Sequence, residues 1–521
     1  MPPFDFVIRN ASVVDGTGAP RFTADVAISG DRIAAIGKLP PTPNAREIDA
    51  TGLILSPGFV DSHVHTDLLL LNDPDFPAAV YQGVTTHIIG QDGISYAPSS
   101  PARQTETRQY FAGVNGDPAL SRRWTSVAEY LACFDGTTAQ NVAYLLPQGT
   151  IRFEVMGHAT RRPTPEEMAQ MQALARQGML DGAIGISTGM DYIPCYYADT
   201  EELCEITKPV GELGGIYVSH IRSYSARLAE AIDEIVTIGK VAGCPVHISH
   251  YNGPAPRLSA MVDNAASAGA DISFDTYPYL AGCTILTMVA LPRWVEEGGV
   301  AATLSRLGDP AIRQKLKDEW FTQPRYPMES LQLAYIEAGE DRDLEGLTVP
   351  AAAEKRGECV PDFICNLLLR SLLRVGCIAF HTNRTMQDVC ALMRHPGHVA
   401  GSDGIYLGSR PHPRGFGTFA TYLELSRDQN VMPLEEMIVH LTSRPARRFH
   451  LKNRGIIAEG NFADLALFNL AEIKATATYE KPALAEGMKW VFVNGKPVLA
   501  DGKTTGLRPG VAIRGPACRP A

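Results

Sequence analysis

Eight short apolar runs constrain this chain more than any other feature. They lie at residues 58–63, 84–89, 142–146, 183–187, 215–219, 245–249, 271–275 and 399–402, and longer helical patterns separate them. Alternation of this kind requires parallel strands with helical crossovers. Eight such units close most simply into a (β/α)₈ barrel. Two of the helical stretches are 164–182 and 226–243. The first opens on Thr164-Pro165-Glu166-Glu167, with Thr164 as the expected N-cap and Pro165 at the first helical position. Roughly 120 residues separate the seventh run from the eighth, too many for one helix. An inserted subdomain is therefore expected over 284–345, giving a barrel of 57–445 with an insert after its seventh strand.

Both ends of the chain are β-like. Runs at 6–8, 12–14, 25–28 and 32–36 are punctuated by Asp15-Gly16-Thr17-Gly18 and Gly30-Asp31, and further runs follow at 463–468 and 490–498. Neither end has enough strands to stand alone. Residues 1–56 and 446–521 are therefore expected to build one small β-sandwich together. With 521 residues, 45% of them hydrophobic, the chain has ample material for such a core and needs no staples. Its net charge of −10 and lack of a basic cluster argue against nucleic acid. No stretch is long and apolar enough for a membrane span, and no signal peptide is evident. The ten cysteines are scattered without a C-x-x-C pair, as expected of buried thiols in a reducing cytoplasm.

The chemistry gathers at the strand ends. Asp61-Ser62-His63-Val64-His65 follows the first barrel strand. Histidines two apart on a strand share a face. At a barrel's C-terminal rim that face is the active-site mouth. Paired neutral imidazoles suit Zn²⁺, Ni²⁺ or Fe²⁺. Asp92 lies just past the second strand, and His220 and His250 end the fifth and sixth. Asp403, in Gly401-Ser402-Asp403-Gly404, ends the eighth. Asp92 and Asp403 could each be turn residues in isolation. Together with four histidines they make a ligand set, and Asp403 is placed to carry a proton between water and a leaving nitrogen. His247 falls on the opposite face from His250 and is read as structural. His87, His158, His381, His395, His398, His440 and His450 fit no ligand geometry. No G-x-S-x-G elbow supports a serine triad.

These motifs resemble the amidohydrolase superfamily, and within it the N-acyl-D-amino-acid deacylase branch. The resemblance runs through Ala11-Ser12-Val13-Val14-Asp15-Gly16-Thr17-Gly18, Pro57-Gly58-Phe59-Val60-Asp61-Ser62-His63-Val64-His65 and Gly185-Ile186-Ser187-Thr188-Gly189. It continues through Ser219-His220-Ile221-Arg222, Tyr277-Pro278-Tyr279 and Pro411-His412-Pro413-Arg414. It implies the same barrel, terminal sandwich and insert. It also implies a divalent metal, chiefly Zn²⁺, bound tightly at Asp92, His220 and His250, with a second, weaker ion near His63 and His65. Arg414 matches the family's carboxylate binder, and Tyr192 and Tyr279 match pocket-lining positions. Two departures stand out. Asp92 occupies the position of a metal-bridging Cys, and a harder carboxylate holds soft Zn²⁺ less tightly. Asn252 stands where the family has a Lys for the substrate carboxylate. Loss of that ammonium is worth about 1.5–3 kcal/mol and points to a substrate with a weaker anion or none.

The expected activity is metal-dependent cleavage of a small-molecule amide, with N-acyl-D-amino acids as the default substrate. A cyclic amide hydrolase, acting on a hydantoin, imide or lactam, is the nearest alternative. A decarboxylase or lyase on the same site is the third. A homo-oligomer is compatible with the sequence.

Overall fold

A computed structural model describes residues 4–518. The eight runs form eight parallel strands: β1 (Phe59–Asp61), β2 (Val84–Ile89), β3 (Asn141–Pro147), β4 (Gly185–Gly189), β5 (Ile216–His220), β6 (Val246–Ile248), β7 (Ile272–Thr276) and β8 (His398–Ala400). Each pairs with its predecessor in chain order. The ring closes between β8 and β1. Ser62 N–H donates to Ala400 O at 3.2 Å, and Asp403 N–H donates to His63 O at 2.7 Å. Closure brings the first and last strand ends side by side, which is what allows His63, His65 and Asp403 to meet.

The helices follow their sequence signals. Helix Pro165–Asp181 starts with a capping box, in which Thr164 Oγ1 accepts from Glu167 N–H at 3.2 Å and Glu167 Oε2 accepts from Thr164 N–H at 2.8 Å. Helix Leu228–Ala242 stops at Gly243, whose left-handed conformation terminates it. The two ends of the barrel differ in polarity. Before the strand-end residues, Val60, Ile88, Leu145, Ile184, Ile216 and Val218 form one apolar cluster with Phe449 and Leu451, and Ile513 packs against it. An apolar plug thus fills one end, and the polar residues collect at the other.

The chain termini build a single hydrogen-bonded sheet of nine strands. Its N- and C-terminal halves join where Leu465–Phe468 runs antiparallel to Ile54–Pro57. The ladder is continuous instead of split into two sheets, and the sheet encloses its own core of Ile8, Val26, Leu55, Leu465, Trp490 and Phe492. The runs at 6–8 and 12–14 are one strand, Phe6–Val13, interrupted by a bulge. The run at 490–498 is a hairpin, Met488–Val493 and Lys496–Ala500, turned at Asn494-Gly495. Between β7 and β8 lies a three-stranded antiparallel sheet in the order Ala281–Ile285, Val375–Phe380, Leu331–Ile336. The insert is thus larger than 284–345, because the central strand of its sheet comes last in sequence. Among the described residues no helix is long and apolar enough to cross a membrane.

Candidate metal centre and active site

The polar end of the barrel gathers the strand-end residues around one point. Asp92 follows β2 on a tight turn in which both Gly90 (φ 79°) and Asp92 itself (φ 56°) are left-handed. The turn lies directly against β4. A Cβ added to Gly189 would stand 2.1 Å from Asp92 O, so only glycine fits there. Held in this way, the Asp92 carboxylate faces four imidazoles. It is 3.7 Å from His63 Nε2, 3.7 Å from His65 Nε2, 3.8 Å from His220 Nδ1 and 3.9 Å from His250 Nε2. One oxygen of Asp403 lies 3.2 Å from His65 Nε2 and 3.6 Å from His63 Nε2. Its other oxygen lies 2.8 Å from Arg414 Nη1.

Most of these separations are too long for hydrogen bonds. Accordingly, His63 Nδ1 and Nε2, His65 Nδ1, Asp92 Oδ1 and both His220 nitrogens are buried without a hydrogen-bond partner. Buried polar atoms are rarely left so. Two donors about 2.1 Å from one tetrahedral ion stand about 3.4 Å apart, close to the spacing found here. Imidazole nitrogens with carboxylate oxygens suit a divalent first-row cation. The residues therefore fit such an ion. Two groupings have the compactness it needs, His63–His65–Asp403 and His63–Asp92–His250. They share His63. His220 falls outside both, so the trio Asp92–His220–His250 is not the most compact set.

The electrostatics favour positive charge at this point. Burial would raise the Asp92 pKa, but the His220 and His63 side chains outweigh it and hold the carboxyl well below its usual range. Burial opposes charge on Asp403 as well, and Arg414 and His63 override it in the same direction. His63 is pushed up to about 9, because Asp275 and Asp403 outweigh its desolvation. His220 reaches about 9 against its own burial, through Asp191 and Asp92. Burial, reinforced by His220, takes His250 down to about 4.

Two further carboxylates, which no spacing in the sequence analysis singles out, lie against these imidazoles. Asp275, at the end of β7, lies 3.5 Å from His63 Nδ1 and 3.0 Å from His247 Nε2, and it accepts from His250 N–H at 2.8 Å. Its place at a strand end is the same signal that marks Asp92 and Asp403. Asp191, two residues past β4, faces His220 Nε2 at 3.5 Å and is gripped by Arg293 at 2.7 Å and Arg325 at 2.8 Å. Both arginines come from the insert, and no spacing in the sequence announces them. His247 also bonds Ser273 at 2.7 Å and is a buried structural residue, as expected.

A cavity of about 300 Å³ opens above the cluster. Tyr192 and Asn252 line it. Tyr192 Oη hydrogen-bonds Thr284 Oγ1 at 2.7 Å, and Asn252 bonds Thr276 and the His250 carbonyl. Arg414 and Tyr279 lie elsewhere. Arg414 is fully buried behind Asp403. Tyr279 points to Thr421 at 3.2 Å, and Tyr277 takes the lining position. The strand ends at Thr276, so strand alternation no longer governs which of the two tyrosines faces inward.

A closed parallel barrel with imidazoles and carboxylates on the ends of β1, β2, β5, β6 and β8 has the build of a metal-dependent barrel enzyme. Residues 46–499 match the amidohydrolase family, and the chain belongs to that family. It is similar to D-aminoacylase from Alcaligenes xylosoxydans xylosoxydans, with 34% identity over 517 residues, 98% of this chain and 97% of that one. A crystal structure of D-aminoacylase superposes with a TM-score of 0.81 at 33% identity, covering 98% of this chain and all of the other. N-acyl-D-glutamate deacylase from Bordetella bronchiseptica, solved with zinc and a phosphonate inhibitor, gives 0.83 at 28% identity over 98% and 100% of the two chains. The protein is thus an amidohydrolase, acting on carbon–nitrogen bonds other than peptide bonds.

Proposed function

We propose that the protein is an N-acyl-D-amino-acid deacylase that cleaves the amide bond with water. The observation that carries this reading is Asp403, held between the His63–His65 pair and Arg414 at the floor of the cavity. The relatives, a D-aminoacylase and an N-acyl-D-glutamate deacylase, support the substrate class. His63, His65, Asp92, His220, His250 and Asp403 are the residues that would hold a divalent metal. The zinc in the N-acyl-D-glutamate deacylase supports zinc here. When bound, the ion supplies a Lewis acid that acidifies water and polarises the acyl carbonyl.

The chain's own residues supply the remaining steps. Asp403 is ionised and therefore able to accept the proton of the attacking water. It then returns that proton to the departing nitrogen, which leaves as a neutral amine. Arg414 keeps Asp403 charged and fixed in direction. Tyr192 and Asn252 contact the substrate within the cavity, while Tyr279 and Arg414 act from behind its wall. The buried thiols of Cys133, Cys195, Cys204, Cys365, Cys377 and Cys390 support a reducing, cytoplasmic setting. Residues 1–56 with 446–521 are read as one unit and 57–445 as the catalytic one.

The test is turnover of N-acetyl-D-amino acids, their L-isomers and ring amides by metal-reconstituted protein. Hydrolysis of the D-isomers is expected, and Asp403→Asn should lower kcat by about 10²–10⁴-fold, the size of a general acid–base contribution. Full activity in Asp403→Ala sinks this mechanism.

A further inference from the structure

We propose that Arg384 binds the substrate's carboxylate, filling from the insert side the cationic role that Asn252 cannot fill. The inference rests on the deacylase reading and names the residue that would recognise the acid. Arg384 lies between strand Val375–Phe380 and helix Met386–Met393, where the chain returns from the insert to the barrel. It lines the same cavity as Asp92, His250 and Asp403. Its residue exposure is only 7%, and its Nε and Nη2 are buried without a hydrogen-bond partner. Its neighbour is the Tyr277 ring, 5.5 Å from Cζ to the centroid.

The other guanidiniums around the site each have a carboxylate partner. Arg414 is paired with Asp403 at 2.8 Å, and Arg325 and Arg293 both hold Asp191. Arg384 is the one guanidinium lining the cavity that has no ion-pair partner among the described residues. An arginine cannot shed its proton to escape burial. Leaving it desolvated and unpaired is costly, and a bound carboxylate removes that cost with two oxygens that match its fork. The cavity of about 300 Å³ that it lines has room for a ligand group, and Gly282, His381 and Tyr277 line it too. A Cβ on Gly282 would stand 3.2 Å from His381 Nε2 and 3.8 Å from Tyr277 Oη, so glycine keeps the notch between these two open. His381 does not compete for an anion, because burial and then Arg384 pull its pKa down to about 3 and leave it neutral.

The position of Arg384 also revises the expectation drawn from Asn252. A missing ammonium on the barrel side does not mean a neutral substrate when an unpaired guanidinium faces the cavity from the other side.

The experiment measures Kd for N-acetyl-D-leucine, N-acetyl-D-glutamate and N-acetyl-D-leucinamide on metal-reconstituted wild type, Arg384→Met and Arg384→Lys. Hydrolysis of each compound is followed in parallel. Loss of one charge-assisted contact corresponds to about 10- to 100-fold in affinity. Wild type should prefer an acid to the carboxamide by that factor. Arg384→Met should erase the preference, and Arg384→Lys should keep most of it. A penalty on both acids assigns the contact to the α-carboxylate. A penalty on N-acetyl-D-glutamate alone assigns it to the side-chain carboxylate. Unchanged affinity of Arg384→Met for both acids overturns the proposal, even if wild type hydrolyses them. Tight, Arg384-dependent binding without hydrolysis would instead sink the deacylase reading and leave the carboxylate contact standing.

Discussion

Asp275 shows how much of the site depends on residues that touch no substrate. One carboxylate faces His63 Nδ1, accepts from His250 N–H and bonds His247 Nε2. It fixes the backbone position of His250 and faces the His63 ring at 3.5 Å. Partners of this kind typically tune metal affinity by about 10- to 100-fold. Asp275→Asn should therefore weaken divalent-metal binding by about that factor, read by competition with a chelator, while the circular dichroism spectrum stays native. Equal affinity in the variant would show that His63 and His250 are positioned without it. The residues that would hold a metal can be placed at the mouth from the sequence, because a strand end on a barrel rim is a position with a meaning. His63, His65, Asp92, His220, His250 and Asp403 all reach the mouth. Asp191 was not legible, because its role exists only through His220, Arg293 and Arg325, which lie far apart in sequence. Arg414, which the resemblance implies as a carboxylate binder, is paired with Asp403.

At the level of elements, the site depends on how closely β4 approaches the turn after β2. Gly189 gives up its side chain so that the Asp92 carbonyl can pass. Alanine at 189 would force that turn outward by an ångström or more and move Asp92 away from the four imidazoles it faces. Gly189→Ala is expected to lose metal and activity together, with a smaller loss of stability than overpacking a closed core, about 1–3 kcal/mol. Metal content by plasma emission, read beside a thermal melt, checks this. A variant that melts earlier but keeps its full metal content would place the importance of Gly189 in packing alone. All eight barrel strands could be read from the sequence, since fully buried parallel strands appear as unbroken apolar runs. The terminal sheet was harder to read. Strand Arg46–Asp49 is mostly exposed and polar and carries no apolar run. The Asn494-Gly495 turn was within reach, with Asn494 at φ 46° and Gly495 at φ 72°, the pairing that two-residue hairpins prefer.

Across the whole molecule, the insert contributes to the active site as well as covering it. Asp191 comes from the barrel and is buried, and its two arginines come from the insert. The sequence indicated the insert by length alone and gave no sign of this grip, because an ion pair spanning more than a hundred residues leaves no local pattern. The arrangement has a consequence for stability. With either arginine present, Asp191 keeps a cation. With both removed, only the His220 imidazole, 3.5 Å away, remains to face it, and an under-compensated buried charge is far costlier than a lost surface pair. Arg293→Met and Arg325→Met should each destabilise the protein modestly. The double variant should exceed their sum by about 1 kcal/mol or more, as expected of residues that share one partner. Adding Asp191→Asn to the double variant should recover part of that loss, because it removes the stranded charge. Denaturant unfolding of the four variants and the wild type measures the coupling. Simple additivity would show that Asp191 is neutralised by another route and that the insert holds its place by packing.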